Sequence, residues 1–373
     1  MKKISLCLIV KNEESVLERC ISSMREAADE IVIVDTGSTD RTKEIAKELA
    51  DVYGEFEWID DFAAARNYAF SLATGEWIMW CDADDILKEG DAKRWRAEVE
   101  RITSENQDIV GINAPYIYAH DSVGTGEMPN FRYHRLRIIK KGAGSWTGRV
   151  HEYIKHDSKK TTTTDAVDFH HYRDEGKGTQ NTARNLRILE KVVSEASEDE
   201  KPRYLFYLGK EYVYNGRLDD AIRTFERYIP LSNWIPEKHR AMYELAVCYQ
   251  RLKDIPMAKE YAARAIALDE DYVDPYVLLG IIAYNEKRWT DVVKWMQSAM
   301  RCKPPVTLFF DYVPYLTWVP LDYLSIAYWN LRRADLALDC VRKALEYRPE
   351  DSRLLHNEKE FSSVGNAQIG GLF

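Results

Sequence analysis

The sequence predicts two domains in series: a doubly wound, mostly parallel α/β sheet, and behind it an all-α repeat domain. Three observations lead there. Short apolar runs at residues 4–10, 30–34 and 77–80 alternate with stretches of helical spacing, the pattern of strand–helix–strand units. The last run stops abruptly in Asp82-Ala83-Asp84-Asp85. Beyond residue 181 strand signals cease, and apolar residues recur with a period near the ~34 residues of paired-helix repeats.

Each element follows in order. Residues 13–27 space Val16, Cys20 and Met24 as a helix face, so the strands at 4–10 and 30–34 form a parallel pair. The second strand runs into Asp35-Thr36-Gly37-Ser38-Thr39-Asp40, then a helix to about residue 49 and a third strand over 52–59. A turn rich in Asp, Gly and Ser between a strand's carboxyl end and a helix is where open α/β sheets bind ligands. Its helix start offers N–H groups to an anion. A helix over 62–73 precedes the strand at 77–80, which delivers the carboxylates to the same end of the sheet as Asp35. Three acids within four residues repel one another unless a cation joins them. A divalent metal carrying a diphosphate suits them, since Mg²⁺ and Mn²⁺ sites combine one or two carboxylates with phosphate oxygens. The plainer alternative is a solvated acidic loop, with Asp85 starting the next helix.

The 373 residues, 45% hydrophobic and 12% aromatic, suffice for two or three packed domains. A net charge of −9 argues against a nucleic-acid partner gripped through phosphate neutralisation. Six scattered cysteines without a CxxC pair suggest neither zinc nor disulfides, and point to a reducing cytoplasm. The apolar start breaks at Lys11-Asn12-Glu13-Glu14, so it reads as a strand rather than a signal peptide, and no stretch is long enough for a transmembrane helix.

Four motifs in order, Lys11-Asn12-Glu13-Glu14, Val34-Asp35-Thr36-Gly37-Ser38-Thr39-Asp40, Asp61-Phe62 with Ala65-Arg66-Asn67, and Trp77 with Asp82-Ala83-Asp84, resemble family 2 glycosyltransferases of the GT-A fold. The closest likeness is to the bacterial branch with a tetratricopeptide tail. That resemblance implies a Rossmann-like mixed sheet followed by all-α tetratricopeptide repeats, with Mn²⁺ or Mg²⁺ as cofactor and a UDP-sugar as donor. It implies that Asn12, Glu13 and Asp35 line the uracil and ribose pocket, and that Arg66 lies against the phosphates. Asp82 and Asp84 are the DxD pair, with Asp84 a metal ligand and Asp82 shared between ribose and metal. Taken alone, Asp35 is also a turn former and Arg66 a surface charge.

Residues 91–101 form an amphipathic helix and 108–118 a strand. Residues 120–129, with three glycines or prolines, read as a mobile loop fit for a lid or acceptor rim. The stretch 131–139 alternates in part as a strand with a basic face, facing either solvent or a phosphate or acceptor. Trp146-Thr147-Gly148-Arg149-Val150-His151-Glu152 resembles the family's Val-His-Glu element. Inversion needs a base for the acceptor's proton. Glu152 is the candidate base, and His151 either orients it or binds metal. In Asp168-Phe169-His170-His171-Tyr172, one histidine either completes the metal sphere, His171 being the candidate, or sits at an interface. Residues 156–165 read as a surface turn or hairpin.

The domains expected are a sheet domain at 1–180, a linking helix at 181–202, four repeats at 203–355 with an insertion near 304–320, and a frayed tail at 356–373. Leu208-Gly209, Leu245-Ala246, Leu279-Gly280 and Leu324-Ser325 mark the repeats, small residues letting paired helices approach. The resemblance implies an inverting, metal-dependent enzyme of the hexosyltransferase type. The acceptor is a peptide or protein side chain or, alternatively, a lipid-linked or lipopolysaccharide acceptor. The concave face of the repeats binds that acceptor, a second copy of the chain as a homodimer, or nothing. A non-catalytic repeat scaffold is the rival from another class. A nucleotidyltransferase would want a Gly-rich phosphate loop, and residues 10–14 contain no glycine.

Overall fold

The structure, a computed structural model, describes residues 3–123, 126–172, 178–303 and 311–369. Its contacts divide into two units, Met1–Ala119 with Arg132–Ala196, and His120–Phe131 with Ser197–Phe373.

In the first unit β1 (Ile4–Val10), α1 (Leu17–Met24), β2 (Glu30–Asp35), α2 (Thr42–Leu49), β3 (Val52–Glu55), α3 (Phe62–Leu72) and β4 (Trp77–Trp80) alternate along the chain. β1 pairs in parallel with β2 and β4, and β2 with β3. The apolar runs of β1, β2 and β4 are nearly all buried, as strands covered on both faces require. All four strands end on the same side, where Asp35 and the acidic cluster follow.

The chain continues through β5 (Asp85–Ile86), α4 (Asp91–Glu105), β6 (Gly111–Val123), β7 (Gly126–Lys140), β10 (Thr161–Thr163), β11 (Phe169–His171) and α5 (Gly178–Glu195), with β8 (Gly144–Thr147) and β9 (Tyr153–His156) forming a separate two-stranded sheet between β7 and β10 in sequence. Strand order is β3-β2-β1-β4-β7-β6-β11-β5, with β10 beside β6. Because β7 lies antiparallel to β4, the sheet is mixed, as expected.

Three expectations need correction. Residues 120–123 and 126–129, read as a loop, belong to β6 and β7; strand pairing overrides the local Gly and Pro content, and residues 124–125 lie outside those described. Asp85 does not start a helix: it is fully buried in β5, and α4 begins only at Asp91. Residues 161–163, inside the expected surface turn or hairpin, form β10, which pairs in parallel with the distant β6.

The second unit is built from helical hairpins: α6 (Lys201–Tyr214) with α7 (Leu218–Tyr228), α8 (Ile235–Arg251) with α9 (Ile255–Leu268), α10 (Asp274–Asn285) with α11 (Trp289–Ala299), and, after the short α12 (Val313–Leu316), α13 (Trp318–Asn330) with α14 (Ala334–Tyr347). A Cβ on Gly209 would lie 2.6 Å from the Phe225 ring, and one on Gly280 2.5 Å from Met296 Cε, so the paired helices meet where only a small residue fits. Ala246 and Ser325 hold the equivalent buried places. Each hairpin turn has one left-handed residue, Gly216, Lys253, Lys287 and Arg332, with φ between 56° and 72°. Part of the expected insertion, residues 304–310, lies outside those described, and Pro320 falls within α13. Of the expected tail at 356–373, residues 356–369 continue α15 (Ser352–Ile369), in which Phe361 is buried and stacked on Trp329 at 4.6 Å; residues 370–373 lie outside those described. Among the described residues no helix is long and apolar enough to cross a membrane.

Candidate active site

The loops leaving β1 and β2 are tied together. Asn12, left-handed at φ 56°, donates its N–H to Ser38 Oγ at 3.0 Å and accepts from Thr39 N at 2.8 Å. Glu13 N donates to Thr42 Oγ1 at 2.7 Å. Asp35 is buried, and its Oδ1 accepts from Gly37 N and Ser38 N at 2.8 and 2.9 Å. Its Oδ2 is buried with no hydrogen-bond partner among the described residues.

The acids after β4 separate by role. Asp85 Oδ2 pairs with Arg137 Nη1 at 2.9 Å, both side chains fully buried, and Asp85 Oδ1 accepts from the Tyr116 hydroxyl at 2.8 Å. Burial raises the Asp85 carboxyl pKa, but the Arg137 charge and His171 outweigh it and hold the group below the usual carboxylate range. Asp84, a quarter exposed, places Oδ1 3.2 Å from His171 Nδ1, and Asp85 Oδ1 lies 3.4 Å from the same nitrogen. One ligand atom from each of Asp84, Asp85 and His171 falls within 4.8 Å of the others. Burial lowers the His171 pKa, yet the two carboxylates win and push it up to about 10.

Asp82 points elsewhere. Arg66 Nη2 donates to Asp82 Oδ1 at 2.5 Å, and Arg66 Nε donates to Glu152 Oε1 at 2.7 Å. The guanidinium lies 4.9 Å from the centre of the Trp80 ring and 4.8 Å from that of Trp146. Arg135 Nη1 approaches Asp82 Oδ2 at 3.7 Å. Burial raises the Asp82 pKa, and Arg66 above all brings it back below the ordinary value.

The structure thus gathers Arg66, Asp82, Asp84, Glu152 and His171 within one unit at the carboxyl end of the parallel strands. Two expectations change. The three-residue ligand cluster contains Asp85 and not Asp82, because the Asp82 carboxylate is directed to Arg66 and Arg135. Arg66 is almost wholly buried between two carboxylates and two indoles instead of lying open to a phosphate. His151 takes left-handed backbone (φ 52°) just before Glu152 and is outside that cluster, as is His170, which stacks on Tyr172. Sequence reasoning missed Tyr116, Trp146 and the separate duties of Arg135 and Arg137. The alternation of 133, 135 and 137 on one face of a strand was the available signal for the arginines, and Trp146 stood at the head of the motif read for His151 and Glu152.

Residues 5–169 match the family described as glycosyl transferase family 2, and residues 207–273 and 324–351 match tetratricopeptide repeats. The SPbeta prophage-derived glycosyltransferase SunS of Bacillus subtilis is 30% identical over 234 residues, which is 61% of this chain and 53% of SunS. An uncharacterized glycosyltransferase of Rickettsia bellii is 37% identical over 108 residues, covering 29% of this chain and 35% of its own. The TPR repeat-containing protein Synpcc7942_0270 of Synechococcus elongatus is 47% identical over 87 residues, 23% of this chain and 22% of that protein. The chain spans about half or less of the length of these curated relatives.

Proposed function

We propose that this chain, a glycosyl transferase family 2 domain followed by tetratricopeptide repeats, is an inverting glycosyltransferase that moves a sugar from a UDP-sugar to a peptide or protein side chain. One observation carries the reading. Beside the Asp84–Asp85–His171 cluster, a single guanidinium, that of Arg66, holds both Asp82 and Glu152.

Glu152 is the base. Its Oε1 is taken by Arg66, which leaves Oε2, without a partner among the described residues, for the acceptor's proton. As that proton moves, the acceptor oxygen or sulfur bonds to C1 of the sugar. The bond from C1 to the diphosphate breaks, and its electron pair leaves on the β-phosphate. His151 turns the chain through a left-handed kink so that Glu152 faces Arg66, a strained backbone of the kind found at functional sites. Arg66 positions the base from behind, a different duty from the phosphate contact expected of it.

The Asp84 carboxylate fits Mn²⁺ or Mg²⁺, and His171 would add a nitrogen donor once an ion displaces its proton. When bound, such an ion supplies positive charge to the departing diphosphate. Asp35 Oδ2, buried and unpartnered among the described residues, suits a ribose hydroxyl, which would donate to it. Asn12 and Glu13 shape that pocket by fixing residues 38–42. The peptide or protein acceptor rests on the repeats, whose helical hairpins form the kind of surface that holds extended chains.

The deciding experiment is a panel of UDP-sugars with Mn²⁺, scored for slow hydrolysis without acceptor. Hydrolysis of at least one donor, abolished by Asp84→Ala, is expected. A parent protein that neither binds UDP nor cleaves any donor, or an Asp84→Ala variant that keeps Mn²⁺-dependent cleavage, would overturn the reading.

A further inference from the structure

Three arginines share the Trp80 ring. The guanidinium carbons of Arg66, Arg135 and Arg137 lie 4.9, 4.4 and 4.9 Å from its centre. Two of them are committed. Arg66 is 7% exposed and makes hydrogen bonds of 2.5 and 2.7 Å to two carboxylates. Arg137 is fully buried, bonded to Asp85 and enclosed by Trp80, Tyr116 and Phe169. Arg135 differs: its side chain is 24% exposed, and its nearest carboxylate oxygen, Asp82 Oδ2, stands 3.7 Å away, beyond hydrogen-bond reach.

Register explains the difference. β7 runs antiparallel to β4, with Met79 opposite Ile138 and Ile78 opposite Ile139. Residue 137 therefore falls level with Trp80, the last residue of β4, and residue 135 two positions beyond its carboxyl end, on one face of their strand. Arg137 ends up beneath the acidic cluster. Arg135 stays part-exposed beside Asp82, its guanidinium carbon 4.4 and 5.1 Å from the centres of the Trp80 and Tyr116 rings, so its place is set before any ligand arrives.

We infer that Arg135 grips the β-phosphate of the donor's nucleoside diphosphate, the group on which negative charge collects as the sugar leaves. The assignment rests on the glycosyltransferase reading and moves the phosphate contact from Arg66 to Arg135. A guanidinium held flat by aromatic faces presents two N–H groups to a phosphate without reorganisation. Asp82, its loose neighbour, is already neutralised by Arg66, so a phosphate meets Arg135 without first displacing a tight ion pair.

The experiment compares binding of UDP and of UMP, each with Mn²⁺, by calorimetry in the full chain and in its Arg135→Gln and Arg135→Lys variants. A contact with the β-phosphate predicts that UDP weakens about ten- to a hundredfold in Arg135→Gln while UMP changes less than about threefold, with a smaller loss in Arg135→Lys. A UDP-to-UMP affinity ratio unchanged in both variants would overturn the assignment and leave the glycosyltransferase reading standing. A parent protein that binds neither nucleotide would remove that reading, and this assignment with it. Should Arg135→Gln fail to fold, Arg135→Lys alone decides, because lysine keeps the charge and loses the planar fork.

Discussion

Arg66 Nε donates to Glu152 Oε1 at 2.7 Å, joining helix α3 to the turn after β8 across 86 residues of sequence. The same guanidinium bonds Asp82, so one side chain sets both Asp82 and the base we propose. Lysine cannot span two carboxylates in that fork geometry. Arg66→Lys should lower sugar transfer about a hundredfold with UDP affinity nearly unchanged, the scale on which a slightly misplaced catalytic group costs rate. Single-turnover transfer beside UDP calorimetry checks this; equal losses in both would make Arg66 a binding residue instead.

Removing metal should act at Asp84 and His171. EDTA is expected to abolish donor cleavage, with Mn²⁺ or Mg²⁺ restoring it in the parent protein. His171→Ala should need at least about tenfold more Mn²⁺ for half-maximal rate, since one ligand is lost. Titration of initial rates with Mn²⁺ measures it, and a half-maximal concentration equal to the parent's would exclude His171 from the site.

The buried Arg137–Asp85 pair is structural support for that cluster. Arg137→Met should destabilise the first unit by about 3–5 kcal/mol, because a buried carboxylate loses its cation. Adding Asp85→Asn should recover part of the loss. Urea unfolding of the single and double variants reads the difference, and simple additivity would argue that the two residues act independently.

Much of this arrangement was legible in sequence, and the gaps have physical causes. Strands β1, β2 and β4 announced themselves because buried parallel strands are unbroken apolar runs. Asp84, Glu152 and His171 stood beside recognisable neighbours. What sequence could not carry was direction. Asp82 and Asp84 are two residues apart, yet their carboxylates serve different partners, and only the fold decides which one meets Arg66. Asp85 looked like a helix start because acids favour that place; the buried Arg137, far along the chain, claimed it instead. The strand at 126–140 was hidden at its near end by Gly126 and Pro129, whose turn preference yields to pairing with β6.

In the repeats, His239 is buried against Tyr272 at 4.3 Å, and burial, with the Arg240 charge, pushes its pKa down to about 4. An unfolded histidine titrates near 6.5. Between pH 6.5 and 4 the unfolded chain binds the extra proton, so this group's contribution to stability is present at pH 7 and lost as pH falls through that window. Glu237 opposes it: burial raises its carboxyl pKa, so its contribution fades as pH rises. His239→Phe keeps an aromatic stack and removes the proton. The parent should lose up to about 3 kcal/mol more than the variant between pH 7 and pH 4, read by urea unfolding at both. Parallel curves would refute the assignment.

The hairpin turns suggest a stabilising change. Lys253, Lys287 and Arg332 adopt left-handed backbone that Gly216 meets in the first hairpin at no steric cost. Replacing any of the three by glycine should raise the stability of the repeats by about 0.5–1 kcal/mol, relief of strain exceeding the added chain entropy. Thermal melts of the single variants are the check, and a lowered midpoint would count against it.

Helix α5 has a practical consequence. It was expected to bridge the two domains from residue 181, yet it begins at Gly178, buries Ile188, Leu189 and Val192, and reaches Asp60 through Arg187 Nη1 and Nη2 at 2.7 and 2.8 Å within the first unit. Severing the polypeptide at residue 180 would strip that clasp away and bare three greasy side chains. A break between Ala196 and Ser197 leaves it in place.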